Sequence, residues 1–273
     1  MIKGKRAMIF GGAGSIGSEL ARQLHKNNKI FILDNNETEG LTLINELGIY
    51  GRIGDIRDMA TVHDVFSDFK PQIVFHAAAL KWATQHEKYP EEIIKTNILG
   101  TLNIINEAKK WECVEKLIFI SSDKAVNAHS LMGISKRMGE VMTCNQGFIS
   151  VRFGNVLGSR GSVIPIWQKQ LESGKKLTVT DEKAKRYFMT IQEACGLVIE
   201  AAEVGKGGEI FILDMGEQIN ILDLAKRILK ESRKDTEIEI IGLREGETLE
   251  EKLMSGEEEK KAIKQGKFFI IKQ

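Results

Sequence analysis

A hydroxyl, a carboxyl and an amine stand side by side in Ser122-Asp123-Lys124, directly after the apolar run Lys116-Leu117-Ile118-Phe119-Ile120. That run reads as a buried strand. A strand ending in these three residues sets proton donors and acceptors at the carboxyl edge of a sheet. In open α/β sheets that edge is where ligands sit. A segment of helical composition, roughly 131–144, follows. Within it Lys136 stands four residues after Met132, so both fall on one face of the helix. Burial pushes a carboxyl towards its neutral acid form and a lysine towards its neutral basic form, which suits the pair to proton transfer. An ion pair between the two would oppose that, and the bland alternative is a salt bridge at a strand end.

A second pattern points to a bound phosphate. The run Lys5 to Phe10 leads into Gly11-Gly12-Ala13-Gly14-Ser15-Ile16-Gly17 and then a helix. The spacing of Gly11, Gly14 and Gly17 is G-x-x-G-x-x-G. Such glycines allow a tight turn and close backbone approach to a pyrophosphate, while the helix start supplies free amides and partial positive charge. A second strand, 29–33, ends in Asp34, about 20 residues on, where an acid binds the adenosine ribose hydroxyls. Its charge would repel a 2′-phosphate, so NAD is expected, with NADP as the alternative.

These groups need a frame. Strands read at 5–10, 29–33, the start of 50–58, 72–75, 116–120, 148–153, 176–180, 210–213 and, last, 237–241, with helical patterns between most of them. The alternation predicts an α/β fold: a doubly wound parallel Rossmann sheet with a smaller C-terminal α/β substrate-binding region. The division expected is 1–153 for the NAD-binding domain and 154–273 for the sugar-nucleotide region, some of whose segments return to the sheet. From Pro90 a long helix carries an apolar stripe of Ile93, Ile94, Asn97, Ile98, Leu102, Ile105 and Ala108. Asn97 on that stripe needs buried partners, which gives it a bracing role. After Phe153 the string to Pro165 is a glycine-rich loop with an amide, Asn155, and two arginines, Arg152 and Arg160, whose forks suit a diphosphate.

Composition excludes several classes. The 273 residues carry a net charge of +1, which recruits neither nucleic acid nor an acidic membrane. No apolar run approaches the ~20 residues of a membrane span, and nothing reads as a signal peptide. Cys113, Cys144 and Cys195 are scattered and odd in number, as expected of reduced thiols in a cytoplasmic protein.

The stretch SSDKAVNAHSLMGISK, 121–136, resembles the active-site segment of the extended short-chain dehydrogenase/reductases. These use Ser or Thr and then Tyr-x-x-x-Lys beside a nicotinamide. Here Met132 stands at the tyrosine position. The Ser-Asp-Lys triplet and the Met-Gly-x-Ser-Lys spelling resemble a narrower branch, the UDP-N-acetylglucosamine 4,6-dehydratases of bacterial polysaccharide biosynthesis. His76-Ala-Ala-Ala-Leu-Lys81, Lys95 to Thr101, Arg152 to Pro165 and Gly242 to Thr248 resemble the same branch. Trp82-Ala83-Thr84 replaces its His-Val-Pro, and Glu245 and Thr248 replace its Pro and Lys.

The resemblance implies roles. Gly11, Gly14, Ser15, Ile16 and Gly17 would hold the cofactor pyrophosphate, Asp34 the adenosine ribose, and Asp55 with the Ile56 backbone the adenine. Ala77, Ala78 and Ala79 would pack on the cofactor, and Lys136 would hold the nicotinamide ribose. Lys81 would point to the sugar. Asn155, Arg160, Val163, Arg186, Arg244 and Glu247 would hold the nucleotide diphosphate and uridine. The reaction would oxidise carbon 4, eliminate water across carbons 5 and 6, and return the hydride to carbon 6. Ser122 would bind the carbon 4 oxygen, Lys124 would be the base and Asp123 the acid. Met132 cannot accept a proton. The first proton would go instead to the Asp123 carboxylate or to a water ordered by Ser122. The methionine spelling implies retention at carbon 5. A sugar-nucleotide 4- or 5-epimerase shares every feature but loss of the hydroxyl, an inverting 4,6-dehydratase/5-epimerase would differ only in the outcome at carbon 5, and a catalytically dead nucleotide-binding module would also lack the tyrosine. A homo-oligomer paired through 90–110 and 130–145 is the family's habit.

Overall fold

The computed structural model describes residues 2–82 and 88–272. Its central sheet runs Ile263–Gln265, Phe268–Lys272, Glu209–Leu213, Ile149–Arg152, Lys116–Ile120, Ile73–His76, Arg6–Phe10, Lys29–Asp34 and Tyr50–Ile53. Pairing is parallel from Tyr50–Ile53 through to Glu209–Leu213. The order reverses between Arg6–Phe10 and Ile73–His76, which opens a ligand crevice at their carboxyl ends. The doubly wound α/β fold expected from the alternation is present.

Both faces of the sheet are covered, which is why its strands read as unbroken apolar runs. In Arg6–Phe10, Ala7 and Ile9 face one layer, with Leu20 and Leu24 of helix Ser15–Leu24 and Val198 and Ala201 of helix Ile191–Val204. Met8 and Phe10 face the other, with Val62 and Phe66 of helix Met59–Phe69 and Ile104 and Ile105 of helix Thr101–Lys110. The C-terminal half has its own small core around Trp167, with short strand pairs such as Leu177–Val179 on Ile238–Ile240.

Two expectations change, and one helix joins the elements read from the sequence. The strand at 237–241 is not the last: Ile263–Gln265 and Phe268–Lys272 extend the central sheet, antiparallel to its parallel body. Phe268 meets Phe211 edge-on at 5.4 Å, so the tail buries its aromatic ring on the sheet. A helix, Glu37–Leu47, follows Asp34, started by the Asn36 side chain accepting from the Glu39 amide. The stripe after Pro90 is also re-cut. Residues Ile94–Gly100 form a π-helical stretch, and the wider turn rotates Ile94 and Leu102 out to solvent while Asn97, Gly100 and Thr101 go in.

One buried charge cluster fixes the tail. Arg152 is fully buried. Its guanidinium grips Glu140 through Nε and an Nη at 2.8 Å each, and Glu258 at 2.8 and 3.0 Å. Glu140 also accepts from Ser121 at 2.7 Å and Arg137 at 2.9 Å. Glu258 belongs to helix Gly256–Lys261, closed by a capping box with Ser255. Arg152 therefore bolts the tail to the active-site strand and is not free for a diphosphate. Burial pushes the Glu258 carboxyl up, but its bonds and charge contact with Arg152 win, so it lies below the usual glutamate range. We predict that Arg152→Met, which leaves the buried Glu140 and the half-buried Glu258 short of their cation, lowers unfolding stability by about 3–5 kcal/mol in urea titrations.

Candidate active site

Strand Lys116–Ile120 ends beside Ile149–Arg152, and Ser121 and Asp123 donate backbone N–H groups to the Val151 and Phe153 carbonyls. This fixes the edge on which the reactive side chains stand. Ser122 Oγ donates to Asp123 Oδ1 at 2.8 Å. Lys124 Nζ reaches the same Oδ1 at 3.1 Å and Glu251 Oε2 at 2.9 Å. Asp123 is buried, and its Oδ2 has no partner. An unpartnered buried carboxylate oxygen costs free energy, and this one is enclosed by the protein beside Gly154. Glu251 is itself buried and lies 3.4 Å through Oε1 from Arg186 Nε.

Burial pushes Lys124 towards the neutral amine. The charges of Asp123 and Glu251, and the hydrogen bonds to them, outweigh burial and hold its pKa above the ordinary lysine value. In the resting protein it is an ammonium. The expectation that burial would leave it neutral therefore fails, because a second carboxylate arrives from the tail. For Glu251, burial and the neighbouring Asp123 charge outweigh Lys124 and Arg186, and raise its pKa.

Helix Leu131–Asn145 starts where Ser130 Oγ accepts the Gly133 amide at 3.1 Å. Met132 and Lys136 share its inner face, both buried. Lys136 Nζ donates to the Ile120 carbonyl at 2.8 Å and sits 4.8 Å over the Phe119 ring. Burial pushes it down to about 8. His76, at the end of a neighbouring strand, is pushed down to about 3 by burial and by Lys136, and stays neutral. Asn97 braces this region: it exchanges hydrogen bonds of 2.8 and 2.9 Å with the Leu80 backbone and donates to Ser135 at 2.9 Å.

Beside this edge runs a cleft of about 260 Å³ lined by Gly11, Ala13, Gly14, Asp34, Asp55, Ile56, Ala77, Ala78 and Ala79. A Cβ on Gly11 would meet the Ala78 backbone, and one on Gly17 would strike the Gly11 carbonyl. Only glycine leaves this cradle open. Asp34 accepts the Ala13 amide through Oδ2 and the Asn36 amide through Oδ1, each at 2.9 Å, which aims the carboxylate across the turn. Asp55 is held by Arg57 at 2.6 Å. These residues fit an adenine dinucleotide.

The substrate-side residues divide. Lys124, Thr248, Glu250 and Glu251 line a second cavity of about 170 Å³ together with Asp123. Arg186 lies behind Glu251 and binds the Thr248 and Leu249 carbonyls. Arg244 and Glu247 stand 4.0 Å apart on the exposed loop before it. Asn155 pairs through its backbone with Tyr187, and Val163 begins helix Val163–Glu172. Arg160 goes elsewhere. Its guanidinium donates to the Ala13 carbonyl, its amide donates to Ser15 Oγ, and its own carbonyl accepts from Lys81. It lies over the glycine turn, in the dinucleotide cleft. Ile16, in that turn, packs against the core below it. Of the departures noted after Lys81, Trp82 packs at Gly161, and residues 83 and 84 lie outside the described residues.

The model of a family described as "Polysaccharide biosynthesis protein" matches residues 7–273. The chain belongs to that family. It is 44% identical to the probable polysaccharide biosynthesis protein EpsC of Bacillus subtilis over 94% of this chain and 46% of EpsC. It thus spans about half the length of that relative. It is 35% identical to a UDP-glucose 4-epimerase of Rickettsia bellii over 99% of this chain and 84% of the epimerase. Among solved structures, Pen from Bacillus thuringiensis superposes with a TM-score of 0.94 at 35% identity, covering 99% of this chain and 89% of Pen.

In this family member the residue that sequence reasoning missed is Glu251. It stands just past the Gly242 to Thr248 segment read for the nucleotide, with no motif of its own, and only the returning tail carries it to Lys124. The cradle makes a sharp prediction. Gly17→Ala abolishes NAD binding in calorimetric titration while the far-ultraviolet circular dichroism stays that of the parent; unchanged affinity contradicts the cleft assignment.

Proposed function

We propose that the protein is an NAD-dependent UDP-N-acetylglucosamine 4,6-dehydratase that retains configuration at carbon 5. The observation that carries this reading is the Ser122-Asp123-Lys124 edge, with Asp123 buried, standing beside the dinucleotide cleft, and a methionine where a phenol would stand. When bound, NAD takes the hydride from carbon 4 and returns it to carbon 6. Ser122 binds the carbon 4 oxygen, and Asp123 takes the hydroxyl proton as hydride leaves. The ketone so formed acidifies the proton on carbon 5. Lys124, as free amine, removes that proton. Asp123 delivers its own to the leaving carbon 6 hydroxyl, so the product is water. Lys124 then returns its proton to carbon 5 from the same side, which gives retention. Asp34 excludes a 2′-phosphate by charge and favours NAD over NADP. Exposed Ile94, Leu99, Leu102, Ile134 and Met138 on the helices at 90–110 and 130–145 support a homo-oligomer.

A 4-epimerase is the second reading, favoured by the 35% identity to the Rickettsia enzyme. Mass spectrometry of the product separates them: a dehydratase gives a keto sugar lighter by one water, and an epimerase gives an isomer of unchanged mass. Asp123→Asn is expected to lose carbon 4 oxidation as well as elimination, by ~10²-fold or more, read as absent reduced-cofactor absorbance. Intact oxidation in that variant would show that another group starts the reaction.

A further inference from the structure

We propose that Glu251 is the acceptor that strips the proton from Lys124 and so turns it into a base. This rests on the dehydratase reading. It answers a conflict on the page: the elimination needs a neutral amine, and the resting protein holds an ammonium between two carboxylates. The proton must leave before carbon 5 can be deprotonated. Asp123 is not available to take it, because Asp123 already carries the carbon 4 hydroxyl proton at that stage. Among the described residues, the one other carboxylate in contact with Lys124 Nζ is Glu251, at 2.9 Å.

The surroundings of Glu251 fit a proton acceptor. It is largely buried and lines the same cavity as Asp123 and Lys124, so a proton placed there stays beside the amine. It faces Asp123 and Lys124 on the strand edge and Arg186 on strand Lys185–Arg186, while His129, Glu250 and Lys252 stand around the same cavity. Its own backbone is held independently: Gln218 donates to the Glu251 carbonyl at 2.6 Å, and the Leu249 carbonyl accepts from the Lys185 amide. Neutralising the side chain therefore leaves the segment in place. Protonation of Asp123 in the first step removes one of the two negative charges beside Lys124, which loosens its hold on the proton at the moment the base is needed.

The step balances. The N–H bond of Lys124 breaks and an O–H bond forms on Glu251, with no change in charge of the cluster. The amine then takes the carbon 5 proton and becomes an ammonium again. After that proton is returned to carbon 5, Glu251 gives its proton back. Glu251 acts through Lys124 and is a positioning residue; it need not touch the sugar.

The test is the pH dependence of elimination. Because the proton stays inside the cluster, the wild-type elimination rate should be flat from about pH 6.5 to 9, where a lysine emptying into solvent would instead gain about tenfold per pH unit. Glu251→Gln should keep carbon 4 oxidation, seen as reduced-cofactor absorbance. It should lose ~10-fold or more of elimination at pH 7 and recover it with rising pH. Glu251→Asp, which keeps a carboxylate, should keep the flat profile. A wild-type profile that climbs across this range overturns the proposal without any variant. So does a glutamine variant with wild-type rates, or one whose loss is the same at every pH, the mark of a merely structural role. If the wild type itself releases no water, the dehydratase reading fails first, and this inference falls with it.

Discussion

A single ammonium held between two buried carboxylates sets the terms for this molecule. A charge removed from water must be paired, and breaking such a pair on one side leaves the other charge stranded. Lys124 finds Asp123 next to it in sequence and Glu251 more than a hundred residues away. The first pairing needs only a strand end. The second needs the whole C-terminal tail to come back across the sheet. The Arg152 cluster does that work: one guanidinium ties the helix behind the active-site strand to the capping helix of the tail. The two ionic clusters lie at opposite ends of the same short segment, Glu251 at one and Glu258 at the other.

The cofactor side obeys a different constraint, which is space. Gly11 and Gly17 leave room where any side chain would collide, and Asp34 is held rigid by two amides so that its charge faces the turn. Arg160 then closes over this cradle from the C-terminal half. A loop read as belonging to the sugar nucleotide thus lies on the dinucleotide cleft, and Lys81 holds its backbone. The two halves of the protein meet through that loop on one side and through Glu251 on the other. The reacting carbons would lie between them.

Much of this was legible in the amino acids, for physical reasons. Strands buried on both faces are continuous apolar runs, and the glycine spacing reads as a phosphate turn once a strand precedes it and a helix follows. Ser-Asp-Lys after an apolar strand announces itself. What was not legible depended on distance along the chain. Phe268 looks like any terminal aromatic until it meets Phe211. Glu251 looks like one more acid in a charged stretch. Arg152 looks like a phosphate ligand until Glu140 and Glu258 close on it. The stripe after Pro90 misled for a local reason: a π-helical turn shifts the inward face, and no period in the sequence marks it.

In the proposed reaction a carboxyl and an amine at the edge of the sheet move protons through oxidation and dehydration with no phenol. A crystal structure with NADH and UDP-N-acetylglucosamine bound would decide it. The Asp123 carboxyl is expected in hydrogen-bond contact with the carbon 4 oxygen, Lys124 beside carbon 5, and only the Met132 thioether at the tyrosine position. A phenol such as that of Tyr187 holding the carbon 4 oxygen, with Asp123 turned away from the sugar, would contradict it.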